Sequence, residues 1–139
     1  MKSNLSRVIA VLFIAALAAS CAMGTSDDGA EMVSYRTLLS RNVSNLNKLS
    51  LGMTKPQVVE TMGNIAASTS NSVVPNPYKT EPFLVGKTQY EALYYMTRKY
   101  PPFTSIKLTQ ATPVVLREGK VIGWSVQTLQ AARAGKYEK

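Results

Sequence analysis

The 139-residue chain contains no histidine, and that absence removes Ser-His-Asp triads, Cys-His pairs and ordinary zinc sites. It has a single cysteine, Cys21, so no internal disulfide can form. The eight acidic residues stand singly except for Asp27-Asp28, which leaves no evident pair of carboxylates for acid–base work. No glycine-rich phosphate loop is present, since Gly52 and Gly63 bracket a helical stretch and do not cradle its start. Asp27, Asp28 and Glu31 lack the six to eight oxygens, held in a loop, that a calcium ion takes. A serine and a lysine meeting in space is the catalytic pair that the composition still permits. The expectation is therefore a protein that is not an enzyme, with no metal and no cofactor.

What is present begins with the N-terminus. Lys2 and Arg7 precede an apolar run from Val8 to Ala19, the layout of a secretory signal peptide. The run falls short of the roughly 20 residues that span a bilayer. Leu17-Ala18-Ala19-Ser20-Cys21 resembles the lipobox of bacterial lipoproteins. That resemblance implies cleavage before Cys21 and covalent lipid on its sulfur and new amino group. Several acyl chains together make a lasting anchor, where one alone holds only marginally. Ala22 stands where inner-membrane lipoproteins of this kind carry Asp, so the resemblance implies the outer membrane.

Without residues 1–20 the chain keeps 14 basic residues against 8 acidic ones, a net +6. An exported basic domain points away from nucleic acid and toward lipid headgroups, anionic envelope polymers or an acidic protein face. The basic residues are scattered from Arg36 to Lys139 with no cluster forming an arm. Residues 21–31 read as a lipidated flexible tether, and 32–139 as one small domain with a long Pro-rich surface loop at about 64–88.

Within the domain, Tyr35, Leu39, Val43, Leu46 and Leu49 recur at helical spacing, which predicts a helix between Met32 and Leu49. Arg36, Arg41, Asn42, Asn45 and Lys48 then make its polar face. A second, shorter helix follows Thr54. Thr54 and Gln57 have capping-box spacing, Met53 and Val58 are placed for a hydrophobic staple, Pro56 lies in the first turn, and Gly63 can take φ > 0 past the last.

The string Gly52-Met53-Thr54, Val58, Gly63 resembles the signature of the SmpA/OmlA (BamE-like) group of outer-membrane lipoproteins. Asn76-Pro77-Tyr78, and Leu116 to Val121, look similar to segments of the same group. The resemblance covers most of the chain from Cys21 to about Ser125. It implies an α+β fold with a two-helix layer packed on a three-stranded antiparallel sheet. It also implies a non-catalytic accessory or scaffold in outer-membrane or envelope assembly, anchored on the periplasmic face.

The expected strands are Tyr90 to Thr97, Thr112 to Arg117 and Lys120 to Val126, the last two joined by a tight Glu118-Gly119 turn. Such a turn opposes Leu116 to Val121 and Val115 to Ile122. Val114, Leu116 and Val121 then form a core face, with Gly123 leaving room for a close helix. The other face collects Leu93, Tyr95, Val115, Ile122 and Trp124 and is the candidate partner surface. Alternatively the long loop or the segment Leu129 to Ala134 folds over it and makes a second core. The helix-helix-three-strand unit is also similar to the repeat of β-lactamase inhibitor proteins, which implies a periplasmic protein-binding or inhibitory module using the exposed sheet face.

Overall fold

The computed structural model describes residues 29–101 and 104–138. The signal peptide, Cys21 and the tether up to Asp28 lie outside the described residues. The first element is a strand, β1 (Glu31–Ser34), which leads directly into helix α1 (Tyr35–Leu46). Ser34 caps α1 by accepting the Thr37 N–H at 3.1 Å, so the helix starts three residues later than its periodicity suggests. Its buried residues are Leu38, Leu39, Asn42 and Leu46, while Val43 is 48% exposed. The inward face is therefore rotated by one residue from the apolar stripe, and a nominally polar asparagine lies at its centre.

Helix α2 (Lys55–Met62) forms as its sequence dictates. Gln57 Oε1 accepts the Thr54 N–H at 2.9 Å and the Thr54 hydroxyl at 3.1 Å, while Met53 and Val58 pack in one cluster. Gly63 closes the helix at φ +83°, its N–H on the Val59 carbonyl at 3.0 Å. Val58 and Met62 are buried, but Val59 remains 36% exposed.

The expected long loop instead holds three strands, β2 (Ile65–Ser68), β3 (Val73–Val74) and β4 (Lys79–Val85). β2 pairs parallel with β1 and antiparallel with β3, which makes a small mixed sheet. β4 joins β5 (Thr88–Met96), β6 (Ala111–Arg117) and β7 (Lys120–Gly123) in a four-stranded antiparallel sheet in that order. A third helix, α3 (Val126–Arg133), follows, capped by Ser125. Among the described residues there are thus three α-helices and two sheets, so the two-helix layer on a single three-stranded antiparallel sheet is overturned. The missing strands are short or interrupted: β1, β2 and β3 have four, four and two residues, and β4 contains Pro82.

Apolar side chains pack on both faces of the larger sheet. Leu93, Tyr95, Val114, Leu116 and Val121 meet Leu46 and Leu49 together with Val58 and Met62 of α2. Tyr90, Ala92, Tyr94 and Val115 meet Leu129 and Ala132 of α3, in a cluster continuous with Leu38 and Leu39 of α1 and with Ile65, Ala67 and Val74. Gly123 does leave room for a close helix, and that helix is α3: a Cβ at Gly123 would lie 2.8 Å from Thr128 Oγ1.

Candidate functional site

The five residues of the expected partner face do not share one surface. Leu93 pairs with Val114, and Ala92 with Val115. Since paired residues project to the same side, Leu93 and Tyr95 lie opposite Val115. The Glu118-Gly119 turn has positive φ at both positions, 49° and 78°, and sets Leu116 against Val121 as expected. A bulge between Val115 and Leu116 then shifts the register, so Val115 faces Gly123 and not Ile122. Ile122 joins the α3 side and Trp124 the α2 side. Leu93, Tyr95 and Val115 are fully buried, and burial raises the Tyr95 phenol well above its ordinary pKa. No sheet face made of these residues is open to a partner.

The C-terminal segment is locked across the α3 side. Glu138 accepts from the Tyr90 hydroxyl at 2.5 Å and the Thr88 hydroxyl at 2.7 Å. Its carboxyl is held below the usual range by those two bonds and by the nearby Arg117 charge. One turn earlier, Arg133 donates to Glu81 at 2.6 Å and lies over the Phe83 ring, while Glu81 also accepts from Tyr94 at 3.0 Å. These polar ties fasten α3 and the tail to β4 and β5.

The edges of the larger sheet differ. At β7 the Gly52 N–H donates to Val121 O at 2.8 Å and the Val121 N–H to Met53 O at 2.9 Å. The Gly52-Met53-Thr54 string thus straps one sheet edge as well as starting α2, a role its local sequence does not reveal. At β4 the ladder alternates. Because Gln89 O takes the Glu118 N–H at 2.8 Å, Tyr90 exchanges its bonds with Phe83. Thr80, Pro82 and Leu84 then turn their backbones outward. Proline has no N–H to offer there, which blunts the edge against strand pairing.

What remains is an open, aromatic-lined surface at the end of the fold where α1 meets the chain beyond β5. Tyr35 of α1 and Tyr100 contact edge to face, with ring centroids 5.2 Å apart. Burial, together with the neighbouring phenols of Tyr100 and Tyr78, raises the Tyr35 pKa, so this hydroxyl stays protonated and donates to Arg98 O at 3.4 Å. On one side of the pair lies a cleft of about 860 Å³. The turn at residues 69–72, Tyr78, Tyr100 and the segment 104–106 line it. On the other side Arg36 and Lys99 flank two shallower grooves floored by Leu39 and Val43, of about 290 and 300 Å³.

The cleft wall is stiffened from within. Thr69 and Ser72 close their turn with backbone and hydroxyl bonds of 2.8 to 3.2 Å, and the Thr104 hydroxyl donates to Pro101 O at 2.7 Å. Among the described residues, the exposed side chains of Ser70, Asn71 and Ser105 have no hydrogen-bond partner and remain available. Sequence reading missed this surface because Tyr35, Tyr78 and Tyr100 are far apart in the chain; the only signals were the hydroxyl-rich 68–72 stretch and the Asn76-Pro77-Tyr78 turn. Among the described residues no group of three His, Cys, Asp or Glu side chains could hold a metal ion, and no helix is long and apolar enough to cross a membrane.

The signature of the family described as "Protein of unknown function (DUF3192)" matches residues 18–131. The chain belongs to this family. The family's match takes in all three helices up to Ala131 and both sheets, and it opens at Ala18, just ahead of Cys21. Neither a curated protein nor a solved structure matches the chain.

Proposed function

We propose that this protein is a lipoprotein, anchored through Cys21 to the periplasmic face of the outer membrane, that serves envelope assembly by binding and not by catalysis. The observation that carries the reading is where the family match starts. A signal peptide that only exports need not belong to the family's shared unit, whereas here the match opens with Ala18-Ala19-Ser20-Cys21. The absence of histidine and of any further cysteine supports a binding role. The open surface around Tyr35, Tyr78 and Tyr100 is its working face, because the larger sheet is packed on both sides.

The test is metabolic labelling with an alkyne palmitate, followed by separation of inner and outer membranes. The wild-type chain should carry label and sediment with the outer membrane, and Cys21→Ser should lose both. Label-free wild-type chain in the soluble fraction would refute the anchor. Label in the inner membrane would refute the sorting alone.

A further inference from the structure

We infer that the cleft between the 69–72 turn and Tyr100 is a saccharide-binding site, and that its ligand is acidic where it runs past Tyr100 toward Arg36 and Lys99. The chemistry of the lining selects this class. None of the residues at 69–72, 78, 100 and 104–106 carries a charge, and all but Ile106 bring a hydroxyl or amide. Such a wall suits neither an acyl chain, which wants apolar surface, nor a phosphate backbone, which wants cations. A pyranose has hydroxyls around its rim and C–H groups on its faces. Tyrosines match both, with a π surface for the C–H groups and a phenol for the rim.

The division of labour among the small polar residues points the same way. Thr69, Ser72 and Thr104 spend their hydroxyls bracing the wall, and Ser70 and Ser105 keep their hydroxyls, and Asn71 its amide, for a ligand. A braced wall with free donors and acceptors loses little freedom on binding, and that is what a weakly hydrophobic ligand requires. The volume, about 860 Å³, lies within the usual range of small-molecule sites, roughly 300–1,000 Å³. Beyond the Tyr35–Tyr100 pair, neither Arg36 nor Lys99 makes an ion pair among the described residues, so both can meet a carboxylate on the next sugar. This inference rests on the envelope location proposed above only for where such a polymer is met, and its chemistry stands apart from the anchor.

The experiment is titration of the purified full-length chain, in detergent, with two probes: a chitin tetrasaccharide, which is neutral, and a hyaluronan tetrasaccharide, in which amino sugars alternate with glucuronate. Binding is followed by calorimetry and by amide chemical shifts. Both probes should bind and shift residues 69–72 and 100, and the acidic probe should bind more tightly at low salt. Asn71→Ala, at an exposed turn tip that folding does not depend on, and Tyr100→Ala should each weaken the neutral probe by about tenfold, the effect of one lost contact worth about 1.4 kcal/mol. Lys99→Ala should reduce, and Arg36→Ala with Lys99→Ala should remove, only the preference for the acidic probe. Failure of both probes to bind, or shifts confined elsewhere, overturns the saccharide site; unchanged affinity in Asn71→Ala does the same even if Tyr100→Ala misfolds. Because Cys21→Ser should bind both probes normally, loss of labelling there and loss of binding here report on separate claims.

Discussion

Asn42, fully buried on α1, donates its side-chain amide to Asn76 Oδ1 at 3.0 Å and to the Met96 carbonyl at 2.9 Å. Asn76 in turn directs its own amide toward the last carbonyls of α2, Met62 O and Gly63 O, at 3.4 Å each. One amide pair therefore ties α1, the end of β5, the end of α2 and the turn leading to Tyr78. The cis Asn76-Pro77 peptide lies in that turn.

Asn42→Ala should lower stability by about 2 kcal/mol, because it leaves Asn76 Oδ1 and Met96 O without their partner in a buried site. Asn42→Leu, though closer in volume and more apolar, should cost at least as much for the same reason. Urea unfolding of both variants beside wild type checks this. A variant as stable as wild type would show that the junction is held by packing alone.

Acid should loosen the tail before the core. The carboxyl of Glu138 is held below its ordinary value, first by the Tyr90 and Thr88 hydroxyls. A depressed carboxyl contributes stability that is present above the unfolded-state value, about 4.3, and is lost as pH falls through the folded one. Thermal melts from pH 6 to pH 3 should fall more steeply for wild type than for Glu138→Gln. The difference will be small, because Glu138 remains about one-third exposed at 30% and solvent screens it. Parallel curves would exclude Glu138 from the tail's attachment.

At Gly63 the backbone sits at φ +83° and ψ +144°, beyond the left-handed helical region where asparagine is tolerated. A Cβ there would meet only Ile65 Cγ2, at 4.0 Å. The cost of substitution is therefore backbone strain and not collision. Gly63→Val, Gly63→Ala and Gly63→Asn should each lose about 1–3 kcal/mol. If Asn is tolerated in thermal melts while Ala is not, the glycine is acting as an ordinary left-handed cap.

Pro82 lies at the centre of the β4 edge, with its nitrogen facing outward and Leu84, 71% exposed, two residues away. Pro82→Val restores an outward N–H in a β-favouring residue. The variant should keep its fold and self-associate at concentrations where wild type is monomeric, as sedimentation velocity would show. Unchanged association would mean that charge at Lys79 and Glu81 guards the edge instead.

Local chemistry was legible wherever one short segment decided the outcome. Helix α2 needs only Thr54, Gln57, Pro56 and Gly63 in order, and the β6–β7 turn needs only two adjacent residues able to take positive φ. The alternation of Tyr90 to Met96 announced β5. By contrast β2 is Ile-Ala-Ala-Ser, which has little strand propensity and gains its place by pairing with β1, 34 residues earlier in sequence at Glu31↔Ile65. β4 contains a proline that reads as a breaker and is tolerated only because its missing N–H faces no partner.

The sequence by itself determined the capped helix, the tight turn and the strand alternation, because each depends on residues within about a dozen positions, and its composition alone excluded histidine chemistry. Only the tertiary structure decided that Asn42 is core, that a bulge at Val115 splits the expected partner face, and that the distant Tyr78 and Tyr100 line one cleft. Those outcomes come from pairings between remote segments, where a shift of one residue moves a side chain to the opposite face.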